Sequence, residues 1–351
     1  MTILVINPGA TSTKVSVFED ETEVFKRTIE HDEAALGGFE HVADQKAWRQ
    51  KEIEECLDSG GWTHARFDAV AGRGGLLRHI PSGTYRINDL AIEDLSAGRF
   101  GEHASNLGPL ISKSFADRAG IPSFFVDPVS VDELEEVARV SGFKGMERQS
   151  FFHALNQKSV ARVAAVRLGK PYEALNLVVV HMGGGVSVAA HRKGRVVDVF
   201  NVKDEGSFSM DRGGGLPVNA LIDFCFSGKS KAEVKRTLGS QAGVLSYLGT
   251  RDFREVLRRA DSGDAQAKLI YDAMVYQHCK DIGAMAAVLK FQLDAIVLTG
   301  GIANSRRLCD DIAGYVGRIA PILELPGEEE MSALAQGALR ALRTGEAMEY
   351  R

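Results

Sequence analysis

The sequence predicts an α/β protein of two similar domains, and a repeated strand-turn-strand pattern carries most of that prediction. In residues 3–18, ILVINPGATSTKVSVF, an apolar strand at 3–6 runs into a small polar loop, and Val15 and Val17 alternate with polar neighbours as a returning strand. Residues 175–199 repeat the plan, with a strand at 177–181, a turn at 182–185 and a returning strand at 186–190. A third apolar strand, in residues 293–308, ends at Gly300 and Gly301 and passes into a helix near Asn304. A chain of 351 residues also exceeds what one core usually supports.

The loop from Asn7 to Thr13 has backbone N–H groups and hydroxyls, Ser12 among them, that can converge on an anion, and Lys14 follows as a point charge. Each glycine cluster alone also fits an ordinary β-turn. Three of them, each closing an apolar strand, favour a nucleotide-binding protein.

Composition excludes other classes. Charged residues make up 25% of the chain and the net charge is -5, so no basic field exists for nucleic acid or an anionic membrane. Apolar runs are broken well before membrane length and no basic segment precedes the first of them, which leads to the expectation of a cytoplasmic protein. The four cysteines are widely spaced, against both a disulfide framework and a zinc site, and are expected to be buried.

Along the chain, residues 24–30 read as a strand and 46–57 as a helix with Trp48, Ile53 and Leu57 at helical spacing. A strand at 67–71 runs into Gly72-Arg73-Gly74-Gly75, where glycines leave one arginine to project beyond the strand end. A helix at 107–119 precedes a strand at 123–126 that Asp127-Pro128 stops, placing a carboxylate where parallel sheets bind ligands, although an aspartate before proline also starts turns. A helix at 151–168, capped by Ser150, carries His153 in its first turn, where a histidine is also commonly structural. The glycine-rich loop 205–217 presents Arg212, and Pro217 opens a helix ending near Ser227. Residues 265–291 form a long helix with Ile270, Met274, His278, Ile282, Met285 and Leu289 on one face, for the core or for a subunit interface. A last strand at 319–325 and a terminal helix at 329–343 follow.

Arg73 and Arg212, on glycine hinges in different halves, can neutralise a transferring phosphoryl group and its acceptor, and Asp127 with a glutamate of the 328–330 run can hold Mg²⁺. A carboxylic acid suits such a site as acceptor, because it is already ionised at pH 7 and needs positive partners rather than a base.

The stretches NPGATSTK, VVVHMGGGVSV, SMDRGGGLP and TGGIANS resemble the signatures of the acetate and butyrate kinase family, within the actin, sugar kinase and Hsp70 superfamily. The resemblance covers essentially the whole chain. NPGATSTK, GEHASNLGPLI and LPGEEEMSALAQGALR lean toward the butyrate branch. It implies two actin-like, ribonuclease H-like domains flanking a nucleotide cleft. Residues 1–150 would form an acid- and phosphate-handling domain, rejoined by a terminal helix at about 331–351, and residues 151–330 a nucleotide-binding domain. The implied reaction is reversible phosphoryl transfer between ATP and the carboxylate of butyrate or a similar branched acid, giving an acyl phosphate and ADP, with Mg²⁺, in a homodimer or higher homo-oligomer. An acetate or propionate kinase and an actin- or chaperone-like ATP switch are the alternatives.

By the same resemblance, Asn7, Ser12 and Lys14 would meet phosphates or metal, Arg73 and Arg212 would clamp the carboxylate and the moving phosphoryl group, and Asn7, Asp127 and Glu329 would position the metal. His153 would hydrogen-bond an equatorial oxygen, and His181 with Gly183, Gly184 and Gly185 would form the second phosphate loop. Asp252, Phe253, Arg254, Gly300, Gly301, Ile302 and Asn304 would line the adenosine pocket. Acetate kinases carry an asparagine where this chain has Gly184, so the backbone would make any phosphate contact there. They carry a valine where it has Gly75, so Gly75 with Phe152 would shape a longer acid pocket, unless Gly75 serves backbone geometry alone.

Overall fold

The computed structural model describes residues 1–62 and 67–351. The strands are β1 (Thr2–Pro8), β2 (Ser12–Glu19), β3 (Thr22–Glu30), β4 (Ala69–Arg73), β5 (Thr84–Arg86), β6 (Ser123–Val126), β7 (Asn176–Met182), β8 (Val186–Arg192), β9 (Arg195–Phe200), β10 (Ala295–Gly300), β11 (Ile322–Pro326) and β12 (Met348–Glu349). They make two sheets, of order β12-β5-β6-β4-β1-β2-β3 and β11-β10-β7-β8-β9.

The duplicated hairpin extends to the sheets that contain it. In the first, β1, β2 and β3 form an antiparallel meander, and β4 and then β6 add in parallel on the other side of β1. In the second, β7, β8 and β9 form the meander, and β10 and then β11 add in parallel beside β7. Both central strands are buried on both faces, as expected where helices cover a sheet.

The chain forms two compact units, Met1–Asp132 with Glu329–Arg351, and Glu133–Glu328. The sequence put the crossing near residue 150. Residues 133–150 instead belong to the second unit, because their polar groups are satisfied there. Glu133 pairs with Lys158 at 2.6 Å, the Glu135 amide donates to the Val197 carbonyl, and Arg148 pairs with Asp198 and Glu205, each at 2.9 Å.

In the first unit the helices Leu107–Ala119 and Glu330–Thr344 pack on β1, β4 and β6. Leu4, Ile6, Val70, Leu110, Ile111 and Phe115 share its core. In the second, the helix Ala154–Leu168 packs on β7 and β10, and the helix Ala265–Val288 packs on β7, β8 and β9. The face of Ile270, Met274, Ile282, Met285 and Leu289 is spent in that core against Val178, Val180 and Leu298. A different stretch leaves apolar side chains in solvent. On the helix Val218–Cys225 and just beyond it, Val218 is 68% exposed, Ile222 49% and Phe226 86%.

Other boundaries moved for local reasons. The helix after Ser150 starts at Ala154 with His153 as its N-cap residue. The strand expected at 319–325 is β11 and starts at Ile322, because the Ile319 amide closes a turn on the Val316 carbonyl at 2.9 Å. Cys225 is exposed, unlike the buried Cys279 and Cys309. Among the described residues no helix is long and apolar enough to cross a membrane.

Candidate active site

In the first unit three parallel neighbours end at one edge of the sheet. Ile6 is in register with Gly72, and Arg73 with Val126, so Asn7, Arg73 and Asp127 stand together at the carboxyl ends of β1, β4 and β6. Glu330, the first residue of the helix Glu330–Thr344, joins them. Its Oε2 accepts from Asn7 Nδ2 at 2.7 Å and from Arg73 Nη1 at 3.0 Å. Of the three adjacent glutamates, Glu330 therefore faces this group, whereas Glu329, the expected metal residue, is the exposed N-cap residue of the helix.

Asp127 is buried and has a left-handed backbone, φ 38°, which aspartate tolerates better than most residues. Its Oδ1 accepts from Ser82 Oγ at 2.6 Å and from the Gly83 amide at 2.8 Å, so one carboxylate oxygen fixes the turn before β5. Lys14 is the cross-strand partner of Asn7 and is exposed, on β2, which half-buried Ser12 opens.

Gly75 does not open a pocket. A side chain there would start 2.4 Å from Asn106 Oδ1, 2.6 Å from Asn106 Cα and 2.8 Å from Leu95 Cδ2. The space a valine would occupy is filled by protein, and Asn106 uses the close approach to accept from the Leu76 amide at 2.9 Å. Gly75 is a packing requirement. Phe152, in the second unit, is fully buried and lies outside the lining of the cavity described next.

The second unit contains a cavity of about 900 Å³. Gly183, Gly184 and Glu328 form part of its wall, and Asp252, Phe253, Arg254, Gly301, Ile302 and Asn304 form another part. The glycine turn after β7 and the expected adenosine residues thus line one space. Gly300 closes β10 just before it, bridged to Gly327. The Asp252 carboxylate caps the helix Phe253–Asp261 through the Arg254 amide and also holds the Arg254 side chain, so its charge is locally neutralised. No side chain at Gly184 or Gly301 would meet any atom within 4 Å, which leaves the backbone there open to a ligand.

Beside the glycine turn, the His181 and His153 rings stack with centroids 3.8 Å apart. His181 Nδ1 is 2.7 Å from Asn156 Oδ1 and His153 Nδ1 is 2.8 Å from Ser187 Oγ, so both rings are oriented through Nδ1. His181 Nε2 lies 3.6 Å from Glu328 Oε1. Arg212 reaches the same turn: its guanidinium packs against Gly185 and donates to the Val202 carbonyl at 3.3 Å. Burial pushes the neighbouring Asp211 carboxyl up, against the opposite pull of Arg212 and Arg251.

Magnesium takes one or two carboxylates and completes its shell with waters and nucleotide phosphates. Asp127 and Glu330 provide carboxylates and Asn7 an amide oxygen at one sheet edge, a donor set that fits. Among the described residues no three His, Cys, Asp or Glu side chains gather about one point, so the metal would lean on substrate phosphates for its other ligands.

Residues 143–317 match the acetokinase family. The matched span lies wholly in the second unit and takes in the stacked histidines, Arg212 and most of the cavity wall. Solved acetokinase structures share the fold over both units. The Porphyromonas gingivalis acetate kinase is 19% identical, with a TM-score of 0.79 over 96% of this chain and 98% of that one. A propionate kinase from Francisella tularensis is also 19% identical, with a TM-score of 0.74 over the same shares. The Entamoeba histolytica acetate kinase is 16% identical with a TM-score of 0.77, again over 96% and 98%. The fold is thus the two-domain actin-like α/β fold that the sequence predicted.

Sequence reasoning did not single out Asp211 or Arg251, and it left open which of Glu328, Glu329 and Glu330 serves the metal. Asp211 stands directly beside Arg212, which was the signal available.

Proposed function

We propose that this protein is a short-chain fatty acid kinase that moves a phosphoryl group reversibly between ATP and a carboxylate. In the forward direction a carboxylate oxygen bonds to the γ-phosphorus, the bond from that phosphorus to the ADP oxygen breaks, and an acyl phosphate and ADP leave. No proton need be removed from the acid, which is ionised at neutral pH. The requirement is positive charge around the transferring group.

The observation that carries this reading is the cavity in the second unit, where the open glycine backbone at 183–184 shares one space with Asp252, Phe253, Arg254, Gly301, Ile302 and Asn304, while Arg212 packs on the adjoining Gly185 outside that lining. In it ATP or ADP would lie with its phosphates at the glycine turn. There His153 and Arg212 would stabilise charge developing on the phosphoryl oxygens. In the first unit Arg73 would meet the acid, and Asn7, Asp127 and Glu330 would hold Mg²⁺.

Butyrate, or a branched acid of similar size, is the proposed acceptor, supported by the likeness of NPGATSTK, GEHASNLGPLI and LPGEEEMSALAQGALR to the butyrate branch. Acetate or propionate is the competing reading, favoured by the fold matches. Hydroxylamine trapping of acyl phosphate from acetate, propionate, butyrate and isobutyrate with MgATP separates them. ATP hydrolysis independent of any acid, with nothing trapped, would instead support an ATP-driven switch. A second copy of the chain is proposed to cover Val218, Ile222 and Phe226, which native mass spectrometry of the wild type and Phe226→Glu would test.

A further inference from the structure

The first phosphate loop is held from behind by a buried cation. Arg49, on the helix Lys46–Ser59, is 1% exposed. Its Nη1 donates to the Gly9 carbonyl at 2.8 Å, the Ser12 carbonyl at 3.3 Å and Thr13 Oγ1 at 3.2 Å. Its Nη2 donates to the Ala10 carbonyl at 3.0 Å and to Gln45 Oε1 at 2.8 Å, and its Nε donates to the same Gln45 oxygen at 3.0 Å. These bonds are to dipoles rather than to a carboxylate. Such a fork costs its desolvation, which lowers the pKa of Arg49, so a surface charge would be cheaper unless the geometry has a use.

The use follows from the planar trans peptide, in which each carbonyl points opposite to the N–H of the next residue. Arg49 draws the carbonyls of Gly9 and Ala10 inward, which turns the N–H groups of Ala10 and Thr11 outward. The Thr11 carbonyl is taken by the His31 amide at 2.9 Å and the Ser12 carbonyl by the Gly9 amide at 2.7 Å, so the far side of the loop is fixed as well. Ala10 and Thr11 are exposed and Ser12 is half-buried. Successive amides aimed at one side make an anion nest. The support has its own brace: Thr13 Oγ1 is 2.7 Å from His31 Nε2, and His31 Nδ1 is 2.7 Å from Glu52 Oε2.

We propose that Arg49 is the positioning residue of the 9–12 loop: by occupying its carbonyls from the buried side it presents the amides of residues 10 and 11 to a phosphate group of the substrate. The assignment rests on the kinase reading. Arg49→Lys keeps the charge but cannot span three carbonyls, and Gln45→Ala removes the acceptor that orients the guanidinium while leaving the core in place.

Both variants are compared with wild type for melting temperature, for ATP affinity by calorimetry, and for KM and kcat with each substrate. The expected result is a loss of about tenfold or more in ATP affinity and in kcat/KM for MgATP in Arg49→Lys, a smaller loss in Gln45→Ala, and a KM for the acid within about threefold of wild type. Added guanidinium should restore part of the ATP affinity of Arg49→Ala. ATP affinity unchanged in folded Arg49→Lys, or lowered only in proportion to unfolding and without guanidinium rescue, overturns the proposal. If Arg49→Lys does not fold, unchanged ATP affinity in Gln45→Ala overturns it. Wild type that binds ATP without acid-dependent turnover refutes the kinase reading and leaves the affinity comparison to decide Arg49.

Discussion

Arg73 and Glu330 meet at 3.0 Å, joining the end of β4 to the first turn of the helix Glu330–Thr344 near the far end of the chain. The same Glu330 oxygen accepts from Asn7, so the carboxylate orders two of the expected ligand-binding side chains at once. Both partners are partly shielded, with 25% and 14% of their side-chain surface exposed, which makes this pair worth more than a surface contact.

Glu330→Gln should therefore reduce kcat by about tenfold or more and raise the Mg²⁺ concentration needed for half-maximal rate, since a neutral amide pairs poorly with Arg73 and binds the metal weakly. Glu329→Gln should stay within about threefold of wild type, the ordinary scale of an exposed change. Steady-state rates over a magnesium titration decide it. Equal losses in the two variants would remove the special role of Glu330.

Arg212 and Gly185 give a test of a different kind, because the glycine leaves room for the guanidinium. A methyl group at 185 would start 2.7 Å from Arg212 Nη1 and 2.5 Å from Val202 Cγ2. Gly185→Ala should displace the arginine and lower kcat toward the value for Arg212→Ala, about a hundredfold below wild type, with far less change in KM for the acid. Near-wild-type turnover in Gly185→Ala beside an inactive Arg212→Ala would show that Arg212 acts from another position.

The parts of this molecule legible in the sequence are those set by local pattern. Alternation around Val15 and Val17, and the glycines after Val180 and Thr299, mark strands and turns without help from distant residues, and strand repetition foretold the matched sheets. Choosing among Glu328, Glu329 and Glu330 depends on where a helix starts to within one residue, which pattern does not resolve. Arg49 sits in a run of charged residues that reads as a solvated helix face, and only its contacts with carbonyls some forty positions earlier reveal its burial. At Gly75 the sequence shows that a side chain is missing but not what lies in its direction.

That last point reverses an expected substrate effect. Gly75→Val should not exchange butyrate for acetate. It should destabilise the first unit, because Asn106 Cα at 2.6 Å is backbone and cannot swing away, and overpacking of this kind costs about 1–3 kcal/mol or more. Melting temperature and soluble yield should fall, with activity on every acid reduced together. A well-folded variant with an altered ratio of acetate to butyrate activity would restore the pocket reading.

Acid should weaken the fold through histidines buried without charge. Burial lowers His278 to about 4, where its Nδ1 meets Ser207 Oγ at 2.8 Å. Burial also holds His191 well below its ordinary value, with Lys158 and Arg162 adding to the effect, and lowers His31, with Arg49 adding there. Each group binds its proton more readily in the unfolded chain. The stability it contributes is therefore complete above the unfolded value of about 6.5 and is lost as pH falls toward the folded value. His278 alone accounts for roughly 2 kcal/mol between pH 7 and pH 5. Asp198, Asp211 and Asp281 are shifted upward by burial and oppose the trend as pH falls from their raised folded values to the unfolded value near 4, so the comparison with a His278 variant is needed to isolate the histidine's share. Urea unfolding at pH 7, 6 and 5 should show a declining free energy, and His278→Gln, which keeps a partner for Ser207 but cannot titrate, should decline less steeply. Parallel slopes for wild type and variant would mean that His278 takes up its proton equally in both states.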